Sequence, residues 1–183
     1  MKTPKPDTAV AFLKRARSFL HEGASLTLFH GGPEKLTKSK ILPGIHLGTR
    51  GQAVHIGKNR RQGNYFVMEM QVDVTGAKRV DDAYSWDRPN GLLTWAMSVG
   101  LLTPKQKENL VDAYGFGPLG ERNIQLSAKI AKQISQLSGV AVVVYLNTSE
   151  DDDKKKDSYF VLDPKRIKKI TRTLQYVNNK EVK

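Results

Sequence analysis

The chain has 183 residues, no cysteine, and 30 Lys and Arg against 18 Asp and Glu, a formal net charge of +12. That length suits one domain with its own core, and the missing thiols exclude disulfides and thiolate metal sites, as fits a cytoplasmic protein in a reducing compartment. No apolar stretch of signal-peptide type follows Met1-Lys2-Thr3-Pro4, and no apolar run approaches the roughly 20 residues of a membrane span, so neither is expected.

Along the chain, Asp7 to His21 reads as a first helix: Val10, Phe12, Leu13, Ala16, Phe19 and Leu20 recur at helical spacing, and Gly23 stops it. Ser25 to His30 reads as a strand ended by Gly31-Gly32-Pro33, and Gly44 to Gly48 as a second, short strand. Thr49 is placed to cap a short helix through Gln52, Ala53 and Val54. Lys58 to Gly63 then reads as a basic loop and Tyr65 to Val72 as a strand rich in aromatic and β-branched residues. Between about 81 and 137 the pattern turns helical. One helix follows Pro89-Asn90-Gly91, a second runs from Pro104 to Tyr114 with Thr103 as cap and Gly115 as stop, and a third from Ile124 to Leu137. Strands return at 139–145, a continuous apolar run suited to a buried central position, at 158–162 and at 167–177, with a polar loop from Ser149 to Lys156. Strands, then helices, then strands predict an α+β domain rather than a βαβ repeat.

The charge is uneven. Residues 1–62 carry 12 basic and 3 acidic side chains, residues 63–150 carry 8 and 9, and residues 151–183 carry 10 and 6. Such asymmetry suits an anionic partner, of which nucleic acid is the commonest, and equally suits a surface that only keeps the chain soluble. Gly115-Phe116-Gly117-Pro118-Leu119-Gly120 has dinucleotide-binding spacing, but a helical pattern precedes it and Pro118 interrupts it, so it reads as a helix stop and turn. No G-x-S-x-G elbow and no H-E-x-x-H metal pattern occurs.

Three ordered pieces resemble the ADP-ribosyltransferase family. Leu28-Phe29-His30-Gly31-Gly32 looks like the family's strand ending in His-Gly. Gly44 to His55, with Gly48-Thr49-Arg50-Gly51-Gln52-Ala53 inside it, looks like the second strand and following helix of the phage and bacterial members. Asp157-Ser158-Tyr159-Phe160-Val161-Leu162-Asp163-Pro164 looks like the closing strand. The resemblance spans about 30 to 167. It implies a single domain with a split, antiparallel or mixed β core, an N-terminal helix and a helical insertion near 81–137. It further implies NAD as substrate, cleavage of the nicotinamide–ribose bond, and transfer of ADP-ribose to a protein or nucleic acid.

The resemblance also assigns roles. His30 would hold the adenosine ribose and the Gly31 backbone the nicotinamide amide, with Gly32, His46, Thr49 and Tyr159 completing the cofactor contacts. Two positions depart from the family. His55 stands where a Tyr stacks on nicotinamide, and Ser158 stands where the catalytic Glu falls, which leaves Glu150 or Asp157 to supply the carboxylate. A non-catalytic protein of the same fold, binding nucleic acid or an acidic partner through its basic surface, is the alternative, and an RNA-processing phosphotransferase that uses NAD is a third reading.

Overall fold

A computed structural model describes residues 25–60, 63–80, 87–115, 122–147 and 156–182. The expected helix over 7–21 and most of the Gly115–Gly120 segment lie outside them.

The described chain forms eight strands and four α-helices. Strands β1 (Ser25–Gly32), β2 (Ile45–Leu47), β3 (Tyr65–Asp73) and β4 (Lys78–Val80) come first, with helix α1 (Arg50–Arg60) between β2 and β3. Helices α2 (Pro89–Ser98), α3 (Pro104–Tyr114) and α4 (Ile124–Ser138) follow in a block. Strands β5 (Val142–Asn147), β6 (Lys156–Val161), β7 (Ile167–Val177) and β8 (Lys180–Val182) close the chain. The fold class is α+β, with the β structure split into two four-stranded sheets, β1-β3-β7-β8 and β2-β6-β5-β4. The first is antiparallel throughout, and the second is mixed because β4 runs parallel to β5.

Side-chain alternation assigns each face of these sheets. Leu28, Met68, Met70 and Val72 of the first sheet pack with Ile45, Leu47, Val142, Val144, Tyr159 and Val161 of the second, so the two sheets share an apolar core. On the other face of the second sheet, Val143, Tyr145 and Phe160 pack against Leu92, Leu93, Trp95, Ala96, Ile130, Ala131 and Ile134 of α2 and α4. Being covered on both faces, β5 needs a continuous apolar run rather than an alternating one. Helix α1 lies on the outer face of the first sheet, where Ala53 and Val54 meet Phe29, Tyr65, Val67, Leu174 and Tyr176.

Local chemistry sets the helix ends. Thr103 caps α3 in a reciprocal capping box with Gln106, Pro104 begins it, and Gly115 ends it at φ 56°. Asn123 accepts from the Leu126 amide at 2.9 Å to start α4, and Gly139 ends it in the left-handed conformation. Helix α1 has the same box: the Thr49 amide donates to Gln52 Oε1 at 2.7 Å, and the Gln52 amide donates to Thr49 Oγ1 at 3.2 Å. It runs further than the sequence predicts, through Lys58 and Asn59 to Arg60. Tyr65 explains the extension, because its ring packs where a Cβ at Gly57 would sit, 2.2 Å away, and it stacks on Tyr176 with centroids 4.6 Å apart. The glycine lets the last helical turn lie flat on β3.

Candidate active site

The two sheets meet at one corner. Phe29 of β1 and Gly48, just after β2, exchange two backbone hydrogen bonds of 2.9 Å, the amide of each donating to the carbonyl of the other. Strand β1 is the edge of its sheet, and Phe29 therefore turns its peptide groups away from β3. Backbone groups alternate sides along an antiparallel strand, so Gly31, two residues on, presents its N–H and C=O on the same open edge.

His30 lies between them. It pairs with Met68, a residue of the inter-sheet core, and so stands on the inner face of its sheet. Its ring Nδ1 is 2.9 Å from the carbonyl oxygen of His46, to which it donates, leaving Nε2 as the nitrogen turned toward other partners. Gly31 is required for packing as well: a Cβ there would come 2.0 Å from the carbonyl oxygen of Ala53 in α1. Gly32 lies against the His30 ring, 3.1 Å from its Nε2 to an added Cβ.

The facing surface comes from β6. Leu47, the last residue of β2, pairs with Tyr159, and Gly48 beyond it bridges to Phe29. Tyr159 is in the inter-sheet core, and Asp157, two residues before it, shares its face. Asp157 is ion-paired with Arg79 of β4, and both side chains are about 30 % exposed. Burial first, and then the Asp157 charge, push the Tyr159 hydroxyl up to about 12. Asp157, Arg79 and Tyr159 thus form a charged and polar group on the face of the second sheet that looks toward the first.

Other expected site residues stand elsewhere. Ser158 points to the opposite face from Asp157, into the helix-covered layer, because neighbouring strand residues alternate. It is 3 % exposed and accepts from Asn147 Nδ2 at 3.1 Å. A side chain at position 158 therefore stands on the helix-covered side of β6, the side opposite Asp157. The His46 side chain is on that helix side too, with its Nδ1 2.9 Å from the Tyr145 hydroxyl and its ring 4.7 Å from that of Phe160. Only its carbonyl reaches His30. The Thr49 hydroxyl serves as the α1 cap. His55, one turn into α1, is 2.7 Å from Asn59 Nδ2, and no hydrogen bond or ring contact among the described residues ties it to His30. Glu150 lies outside the described residues. Among the described residues, no three His, Asp or Glu side chains converge as a metal site.

Arg79 is the member of this corner that carries no signal in the sequence. It sits on a three-residue strand whose parallel pairing with β5 is long-range, and nothing in its local pattern marks it. Comparison of the chain with protein-family models, with curated proteins and with solved structures gives no match.

Proposed function

We propose that the chain is a NAD-dependent ADP-ribosyltransferase acting at the corner where the two sheets meet. The observations that carry this reading are the strand end that sets His30, its ring fixed by the His46 carbonyl, beside an open-edge Gly31, and the carboxylate of Asp157 on the facing sheet. An open-edge N–H and C=O can hold a primary amide such as that of nicotinamide from both sides. On this reading the fixed His30 ring is the group that contacts a ribose hydroxyl. Asp157 is the carboxylate that would stabilise positive charge as it develops on the ribose. In the reaction the C–N bond to nicotinamide breaks with its electron pair leaving on the ring nitrogen. An acceptor nucleophile then bonds to the anomeric carbon and gives up its proton.

Labelled NAD incubated with cell lysate tests this, with nuclease- and protease-treated samples in parallel. Wild type is expected to transfer label, and His30→Ala and Asp157→Asn to reduce transfer by roughly 10²-fold, the size typical for removing one transition-state interaction. No label transfer and no nicotinamide release from wild type would refute it.

A second reading, a non-catalytic binding protein of the same architecture, is favoured by the Arg79 partner that already engages the Asp157 carboxylate. In that case nicotinamide release is absent while partner binding persists.

A further inference from the structure

A second concavity lies away from the His30 corner. It is an open groove of about 540 Å³ between the segment after β1 and strand β7, lined by Lys35, Leu36, Thr37, Lys38 and by residues 168–173. Five of its ten lining residues are cationic, namely Lys35, Lys38, Lys168, Lys169 and Arg172, and none is acidic. From this groove we infer that the protein binds the phosphodiester backbone of a nucleic acid there, without reading its bases.

The construction of β7 concentrates this charge. The β3–β7 register shifts twice. Glu69 pairs with Arg172 and Met70 with Ile170, which leaves Thr171 extra; Gln71 pairs with Lys169 and Val72 with Ile167, which leaves Lys168 extra. A regular strand would turn alternate residues inward. Each bulge instead lets two neighbours face solvent, so Lys168 with Lys169 and Thr171 with Arg172 are all exposed while Ile167 stays buried. The opposite wall is fixed to both strands, since Lys38 Nζ donates to the Lys168 carbonyl of β7 at 3.0 Å and the Leu36 amide to Met68 Sδ of β3 at 3.2 Å.

Nearby acids take up part of the charge. Asp73 holds Lys168 at 3.3 Å, Glu181 lies 3.8 Å from Arg172, and Glu69 accepts from Thr171. Lys35 and Lys169 have no acidic partner within 4.0 Å among the described residues and are available to phosphates.

The lining separates nucleic acid from other polyanions. It holds no aromatic ring on which a base could stack, so affinity follows backbone charge rather than sequence. It is concave, and among the described residues none of the exposed large apolar side chains lies in it, so it offers nothing to insert into a lipid surface. The inference does not depend on NAD chemistry, and its test contains no NAD.

Fluorescence anisotropy with labelled duplex DNA, single-stranded DNA and RNA of equal length, across a salt series, measures the interaction. Lys35→Glu/Lys169→Glu is compared with Lys129→Glu/Lys132→Glu, two exposed lysines on α4 that change the net charge equally. The groove pair is expected to weaken binding about tenfold or more at low salt. It should also flatten the log–log salt slope by about 1.8 on a duplex, ~0.9 for each phosphate that is no longer neutralised. The α4 pair is expected to change both far less. Equal losses from the two pairs, an unchanged slope, or binding seen only with phosphatidylcholine vesicles containing phosphatidylserine would overturn the site. Far-UV circular dichroism of both variants confirms that each is folded.

Discussion

Asp157 and Ser158 are adjacent in sequence and face opposite layers of the molecule. That single alternation places Asp157, and not Ser158, on the face turned toward the first sheet. For the proposed transferase reading Asp157→Asn is the informative substitution: the side chain keeps its shape, the Arg79 pair loses its charge, and transfer of label from NAD is expected to fall with folding retained. Ser158→Ala, by contrast, removes a buried acceptor from Asn147 and should cost about 1–3 kcal/mol of stability while leaving any residual turnover per folded molecule unchanged. Comparing the two by urea denaturation and by nicotinamide release separates the roles. Gly31 is the other residue whose identity is forced. With Ala53 O 2.0 Å from an added Cβ, Gly31→Ala must push α1 off β1 or distort the strand end. Overpacking of this kind costs about 1–3 kcal/mol, or more against backbone, and the urea midpoint should drop accordingly. If Gly31→Ala unfolds at the wild-type midpoint, the packing of α1 on β1 is looser than its geometry indicates.

At the scale of elements, the sequence was most legible where one local rule decided the outcome. Thr103-Pro104 and Gly115 bracket α3 as expected, and the apolar run at 139–145 contains most of β5. Strand β1 begins at Ser25 as expected but runs two residues past His30 to Gly32, and Thr49 caps α1 as expected. Less legible were features that depend on a distant partner. Strand β4 exists because β5 accepts it, β8 because β7 folds back at Asn178 and Asn179, both at positive φ, and the end of α1 because Tyr65 covers Gly57. The face on which Ser158 lies required the pairing register of β6, which no spacing of residues contains. The bulges of β7 were hidden for the same reason, since an extra residue at Lys168 or Thr171 shows only against β3. Among elements whose ends were legible, α3 gives a direct test. Removing its cap with Thr103→Ala breaks the hydrogen bond from the Gln106 amide at 3.2 Å and should lower stability by about 1 kcal/mol. Thr103→Ser should restore most of it, because the hydroxyl rather than the methyl makes the cap.

At the scale of the whole molecule, a net charge of +12 makes the response to acid the most revealing condition. Every carboxylate that takes up a proton adds to the self-repulsion of an already cationic chain. Asp73 bears most directly on this. It accepts from Thr75, whose hydrogen bonds are the main influence holding its carboxyl well below the usual carboxylate range, and Lys168 and Arg166 of the β7 end add to them. Because the folded-state value is depressed, the unfolded chain binds the proton first as pH falls. The contribution is therefore fully present above the ordinary carboxylate range and is lost progressively as pH drops through and below it. Denaturation monitored from neutral pH down past pH ~4 should show a declining stability whose slope is shallower in Asp73→Asn, a variant that starts lower and has less to lose. Added salt should recover the repulsive part for both proteins, since it screens exposed charges over about 10 Å at 0.1 M. The difference between wild type and Asp73→Asn should survive that screening only as far as the short hydrogen bonds to Thr75 carry it. If the two acid limbs coincide at low salt, Asp73 does not clamp the start of β7 to β3, and the acid sensitivity belongs to net charge alone.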